Sequence, residues 1–150
     1  MSVERHILLV EDNDDDVQLT LRALRLHHVA NRVEVVGDGA DALDYLFCRG
    51  AYEGRDRRDL PQLVLLDLKL PKVGGLEVLT KIRQEPRTKR LPVVILTSSN
   101  TEGDVARSYD LGANSYIRKP VDFSQFMDAV NSLGLYWLVL NEVPPAAAEQ

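Results

Sequence analysis

The chain lacks most of what would anchor or staple it. Its single cysteine, Cys48, has no partner for an internal disulfide. That suits a reducing compartment and a role as a small buried apolar residue. No apolar run nears the ~20 residues that span a bilayer. The opening Met1-Ser2-Val3-Glu4-Arg5-His6 carries charge and is followed by no long apolar stretch of the kind a signal peptide needs. A cytoplasmic location with no membrane contact is therefore the expectation. Cations are the minority, 18 Lys and Arg against 23 Asp and Glu, for a formal charge of −5. Non-specific nucleic-acid binding needs a basic surface, so it is not expected here. Internal repeats and low-complexity stretches are also absent.

What remains is ordinary for one soluble domain: 150 residues, 45% hydrophobic and 27% charged, enough for a real core. Apolar runs of four or five residues alternate with longer helix-period segments, the rhythm of βα units around a parallel sheet. Strands are expected near His6 to Val10, Arg32 to Val36, Leu63 to Asp67, Val93 to Thr97 and Ser115 to Arg118. Helices are expected over Asp15 to His27, with Val17, Leu21 and Leu24 inward, and over Ala40 to Phe47. A third should start after Gly74-Gly75, with Leu76, Leu79 and Ile82 as its apolar face. A fourth, between Thr101 and Gly112, has only a thin apolar face (Val105, Tyr109, Leu111). A fifth runs from about Ser124 to Leu140. Asp14-Asp15-Asp16 suits the first helix N-terminus as cap and against its dipole. Arg49 to Asp59 reads as a charged surface loop. The reading is a three-layer α/β sandwich, with a core over about 6–140, a tail over 141–150 and no output domain.

The strands end in chemistry. Glu11 and Asp12 follow the first, Asp67 the third, Thr97 the fourth and Lys119 the fifth. In an open parallel sheet, ligands bind beyond the carboxyl ends of the strands. Adjacent acids repel unless a cation neutralises them, and carboxylate oxygens are hard ligands suited to Mg²⁺. Asp67, flanked by apolar residues, could be both ligand and nucleophile, since a carboxylate can take a phosphoryl group as an acyl phosphate. The Thr97 hydroxyl and the Lys119 ammonium could hold phosphate oxygens. Tyr116 has the opposite side-chain parity to Lys119 and should face the fourth or fifth helix.

The combination resembles the receiver domains of two-component response regulators. The matching pieces are Leu8-Leu9-Val10-Glu11-Asp12, Leu65-Leu66-Asp67-Leu68-Lys69-Leu70-Pro71 with Gly74-Gly75, Ile95-Leu96-Thr97-Ser98, and Ser115-Tyr116-Ile117-Arg118-Lys119-Pro120. The resemblance implies a doubly wound, flavodoxin-like fold: a five-stranded parallel sheet in order 2-1-3-4-5 with five helices. It implies Asp67 as phosphoacceptor, served by Thr97 and Lys119. Asp12 and Asp67 would hold Mg²⁺ with the backbone carbonyl of Lys69, and Glu11 would act through water. Thr97 and Tyr116 would form a switch pair repacking the face of helix four, strand five and helix five. A signalling phosphoacceptor is implied, not a turnover enzyme.

Three further features resemble regulators paired with bacterial phytochrome-type sensor histidine kinases. They are the insertion Arg49 to Asp59, Tyr109-Asp110-Leu111, and the extension Tyr136-Trp137-Leu138-Val139-Leu140-Asn141. This second resemblance implies a light-signalling partner kinase and a homodimer using Tyr116, Trp137, Leu138 and Leu140. The apolar crowding at Trp137, Leu138 and Leu140 is compatible with that, as unpartnered exposure would be costly.

Rivals fit less well. A calcium loop starting at Asp12 would need glycine at Val17 and glutamate at Ala23. A dehalogenase-like phosphatase would need an acid where Lys69 stands. A nucleotide-binding domain would want backbone donors, not Glu-Asp-Asn-Asp-Asp-Asp, in the first loop. A phosphorelay intermediate, a phosphate sink and a receiver that binds partners without phosphorylation stay open as alternative roles.

Overall fold

Strand residues alternate between two cores, and that alternation builds the layers. The computed structural model describes residues 5–26, 29, 31–98, 102–119 and 123–133. The strands are β1 (His6–Val10), β2 (Arg32–Val36), β3 (Leu63–Leu66), β4 (Val93–Thr97) and β5 (Ser115–Arg118). The helices are α1 (Asp14–Leu26), α2 (Gly39–Phe47), α3 (Gly75–Gln84), α4 (Glu102–Asp110) and α5 (Phe123–Leu133). The sheet order is β2-β1-β3-β4-β5, and every pairing is parallel. The expected flavodoxin-like architecture is therefore the observed one.

β1, β3 and β4 are buried along their full length, which is why they read as unbroken apolar runs. Leu8, Val10, Val64, Leu66, Val93 and Ile95 face α2 and α3, while Ile7, Leu9, Leu63, Leu65, Val94 and Leu96 face α1 and α5. A strand points successive side chains to opposite faces, so one sheet feeds two cores.

The helices mostly follow their predicted faces, with instructive shifts. α1 buries Val17 and Leu24, with Leu21 packed beside them. Its cap is Asn13, not one of the three aspartates: the Asn13 Oδ1 accepts from the Asp16 backbone N–H at 3.0 Å. The aspartates occupy the first turn instead, where the helix dipole favours them. In α3, Val78 joins Leu79 and Ile82 in the core, while Leu76 is only half-buried. α4 is as thinly anchored as expected, but Tyr109 faces solvent at 49% exposure, and among the described side chains of α4 the fully buried one is Ser108. The Ser108 hydroxyl donates to the Asp104 carbonyl at 2.7 Å.

The segment expected to be a charged surface loop is mostly exposed, as expected, and it is also braced. Gly50–Tyr52 forms a 3₁₀ turn, and Arg55 donates to the carbonyls of Tyr45 and Asp59. Its guanidinium lies 3.6 Å from the centre of the Tyr45 ring, a cation–π contact. The Tyr45 hydroxyl in turn meets His6 Nε2 at 2.7 Å. Cys48 is buried and ends α2 in the left-handed region (φ 54). No described helix is long and apolar enough to cross a membrane. The expected contacts of Trp137, Leu138 and Leu140 lie outside the described residues.

Candidate functional site

The chemistry gathers at the carboxyl edge of β1, β3, β4 and β5. Glu11 leaves β1 and stays buried, its backbone N–H donating to the Val36 carbonyl at 3.1 Å. Its Oε2 accepts from the Asn13 backbone N–H at 3.2 Å. Asp67 leaves β3, also buried, its N–H donating to the Val10 carbonyl at 3.0 Å. That bond ties the ends of the two central strands together.

A close helix start shapes the ground around Asp67. Gly75 begins α3 so near that a Cβ on it would lie 2.2 Å from the Asp67 carbonyl oxygen. The Gly75 N–H donates to the Leu68 carbonyl at 2.9 Å, fixing the loop after the aspartate. Lys69 is exposed, and its N–H approaches Asp67 Oδ1 at 3.4 Å.

Lys119 reaches this ground from β5, where its N–H donates to the Thr97 carbonyl at 3.0 Å. It continues the Ile117 side of the strand, the side facing α1 and α5. Its Nζ donates to Glu11 Oε1, to Asp16 Oδ2 at 3.0 Å and to Asp67 Oδ2 at 3.2 Å. Burial works against the ammonium, but hydrogen bonds to Glu11 and Asp16 and the field of Asp67 outweigh it and hold its pKa above the usual lysine range. Burial pushes the Glu11 carboxyl up to about 7, opposed by Lys119 and reinforced by the neighbouring Asp67 carboxylate. One ammonium does not satisfy this cluster.

Glu11, Asp12 and Asp67 each offer an oxygen, all within 4.8 Å of one another. An all-oxygen set with one exposed member suits a hard divalent cation that keeps part of its water shell. The donors present thus fit the expected metal.

Thr97 is fully buried and continues the Val93–Ile95 side of β4. Tyr116, paired in register with Ile95, packs half-buried on that same side. Thr97 and Tyr116 thus share the face toward α2 and α3, while Lys119 lies on the other, as parity required. Tyr116 also borders an open pocket of about 400 Å³ with Gln125, Asp128 and Ala129 of α5.

Asp16 is the site residue that sequence reasoning missed. It looked like one of three interchangeable helix-start acids. The usable signal was its position: the third residue of α1, on the turn that follows the buried acid of β1.

A model of the response regulator receiver domain matches residues 7–131. The chain belongs to that family. Among curated relatives, this receiver is 43% identical over 141 residues to the probable methanogenesis regulatory protein FilR2 of Methanothrix harundinacea, covering 94% of this chain and 88% of that one. It is 39% identical over 140 residues to the response regulator Rcp1 of Synechocystis, covering 93% of each. Among solved structures, the bacteriophytochrome response regulator AtBRR superposes with a TM-score of 0.83 at 51% identity, covering 94% of this chain and all of that one. A Mn²⁺-bound form of Rcp1 superposes with a TM-score of 0.73 at 38% identity, covering 93% of this chain and 99% of that one.

Proposed function

We propose that this receiver accepts a phosphoryl group on Asp67 from a phosphohistidine of a sensor histidine kinase. The observation that carries this reading is the Lys119 ammonium drawn onto two buried carboxylates, Glu11 and Asp67, at the edge where the sheet binds ligands. An Asp67 carboxylate oxygen attacks phosphorus, the P–N bond breaks, and the imidazole leaves with its electron pair and takes a proton. Catalysis of this kind is mostly positioning and charge neutralisation.

Mg²⁺, when bound, offsets the charge of both reactants. Asp12 and Asp67 with the Lys69 carbonyl would hold it, and Glu11 would act through water. Lys119 and Thr97 hold the phosphoryl oxygens. Thr97, drawn toward the phosphate, vacates space that the Tyr116 ring can fill, and the thinly anchored α4 follows. That is a local charge change biasing a bistable element. The domain is then a signalling phosphoacceptor, acting only on its own phosphorylation state.

The relatives support a narrower reading. AtBRR is described as a bacteriophytochrome response regulator. We assign this chain a phytochrome-type kinase as partner, a cytoplasmic location, and a homodimer through α4, β5 and α5, with Tyr116, Trp137, Leu138 and Leu140 contributing.

The test is incubation with acetyl phosphate, with and without Mg²⁺, read by Phos-tag electrophoresis on wild type and Asp67→Asn. A Mg²⁺-dependent shift lost in the variant is expected. Wild-type labelling of Asp67→Asn would overturn the assignment of the acceptor.

A further inference from the structure

Lys119 has three anionic partners, but only two of them belong to the oxygen set that fits a metal. The third, Asp16, stands apart from that set. It sits in the first turn of α1, on a backbone fixed by its N–H donating to Asn13 Oδ1 at 3.0 Å. Its side chain is 32% exposed, whereas those of Lys119 and Glu11 are 9% and 2% exposed. The arrangement therefore separates the partners: Glu11 and Asp67 belong to the oxygen set that fits a cation, and Asp16 lies outside it.

We propose that Asp16 is a positioning residue that keeps Lys119 at the site when a divalent cation takes over Glu11 and Asp67. A doubly charged ion among those carboxylates repels a nearby ammonium and removes its best partners. Without another anion, Lys119 must either stay on the acids and oppose the metal or leave for solvent. Asp16 supplies a third course, a short sideways shift to a partner it already holds. The ammonium stays within one side chain's reach of Asp67, ready for an arriving phosphoryl oxygen. This inference rests on the metal-assisted phosphoacceptor reading and adds a residue that reading does not need.

The test is a thermodynamic cycle on Mg²⁺ affinity, measured by titration calorimetry without any phosphodonor. The proteins are wild type, Asp16→Asn, Lys119→Met and the double variant, with urea melts to show that each is folded. Asp16→Asn is expected to weaken Mg²⁺ binding about fivefold to tenfold in the wild-type background and less than about twofold beside Lys119→Met, a coupling within the range seen for contacting charges. Asp16→Glu, which keeps the charge, should restore most of the affinity.

An equal loss in both backgrounds would mean Asp16 is only a nearby negative charge, and the proposal falls. A failure of Asp16→Glu to restore any affinity would overturn it as well. Wild type binding no Mg²⁺ would overturn both this inference and the metal-assisted reading. Wild type binding Mg²⁺ without coupling would remove Asp16 alone.

Discussion

The Arg83 guanidinium donates twice to the Gly112 carbonyl, from Nε at 3.0 Å and from an Nη at 2.7 Å. The same side chain donates to the Leu91 carbonyl at 2.7 Å and to Asn114 Oδ1 at 2.9 Å. One arginine at the end of α3 thus fastens the approaches to β4 and β5. Gly112 sits at φ +103, a left-handed backbone that suits glycine and aims its carbonyl at the guanidinium. Arg83→Lys should lose about 1.5–3 kcal/mol in urea unfolding, because an ammonium cannot reproduce a planar fork of donors. An unchanged midpoint would show the fork to be dispensable.

Gly75→Ala and Gly74→Ala should behave oppositely. A Cβ at residue 75 would press on the Asp67 backbone, while one at residue 74 meets nothing within 4 Å. The first should cost ~2 kcal/mol or more and slow phosphorylation by acetyl phosphate. The second should cost less than ~1 kcal/mol. Equal effects on stability would mean the loop after β3 yields freely.

The pH dependence follows from Glu11. Its carboxyl titrates near 7 in the fold against an ordinary value of 4.5, so the folded state favours the protonated form. The corresponding stability is present below about pH 4.5 and is lost as pH rises through about 7. In EDTA, wild type should therefore lose stability between pH 5 and 7.5 relative to Glu11→Gln, by on the order of 1–3 kcal/mol. Mg²⁺ should return more stability at pH 7.5 than at pH 5. Parallel urea-melt profiles for the two proteins in EDTA would contradict this account.

Truncation after Leu135 should weaken self-association, because it removes Trp137, Leu138 and Leu140 together. Sedimentation velocity on full-length and shortened chains reads this directly. An identical profile would take the C-terminal segment out of the dimer.

The strands and the acids, hydroxyl and lysine beyond their ends were legible because a buried parallel strand leaves an unmistakable run, and Leu63–Leu66 is one such run. Helix faces were legible in part: Leu79 and Ile82 are in the core, but Val78 joins them in place of Leu76. Leu76 and Val78 both suit a helical period, and only the packing against the sheet distinguishes them. Tyr109 counts as apolar in a helical pattern whether or not anything covers it, and in the fold it is 49% exposed. The Arg55 staple left no periodic trace: it joins one arginine to backbone carbonyls of Tyr45 and Asp59, and carbonyls are the same in every residue. Asp16 was hidden for a related reason, since three consecutive aspartates differ only in where the helix aims them.

Tyr116 and Lys119 face opposite cores because an odd number of steps separates them. Deleting one residue between them would make that number even and bring the lysine and the ring to the same side. The acids would then lose their cation, and Thr97 would lose its aromatic neighbour or gain a charged one. Between these two positions, the geometry depends on chain length more than on the identity of an exposed residue. Arg118, exposed between them, sets that count by its presence and not by its side chain.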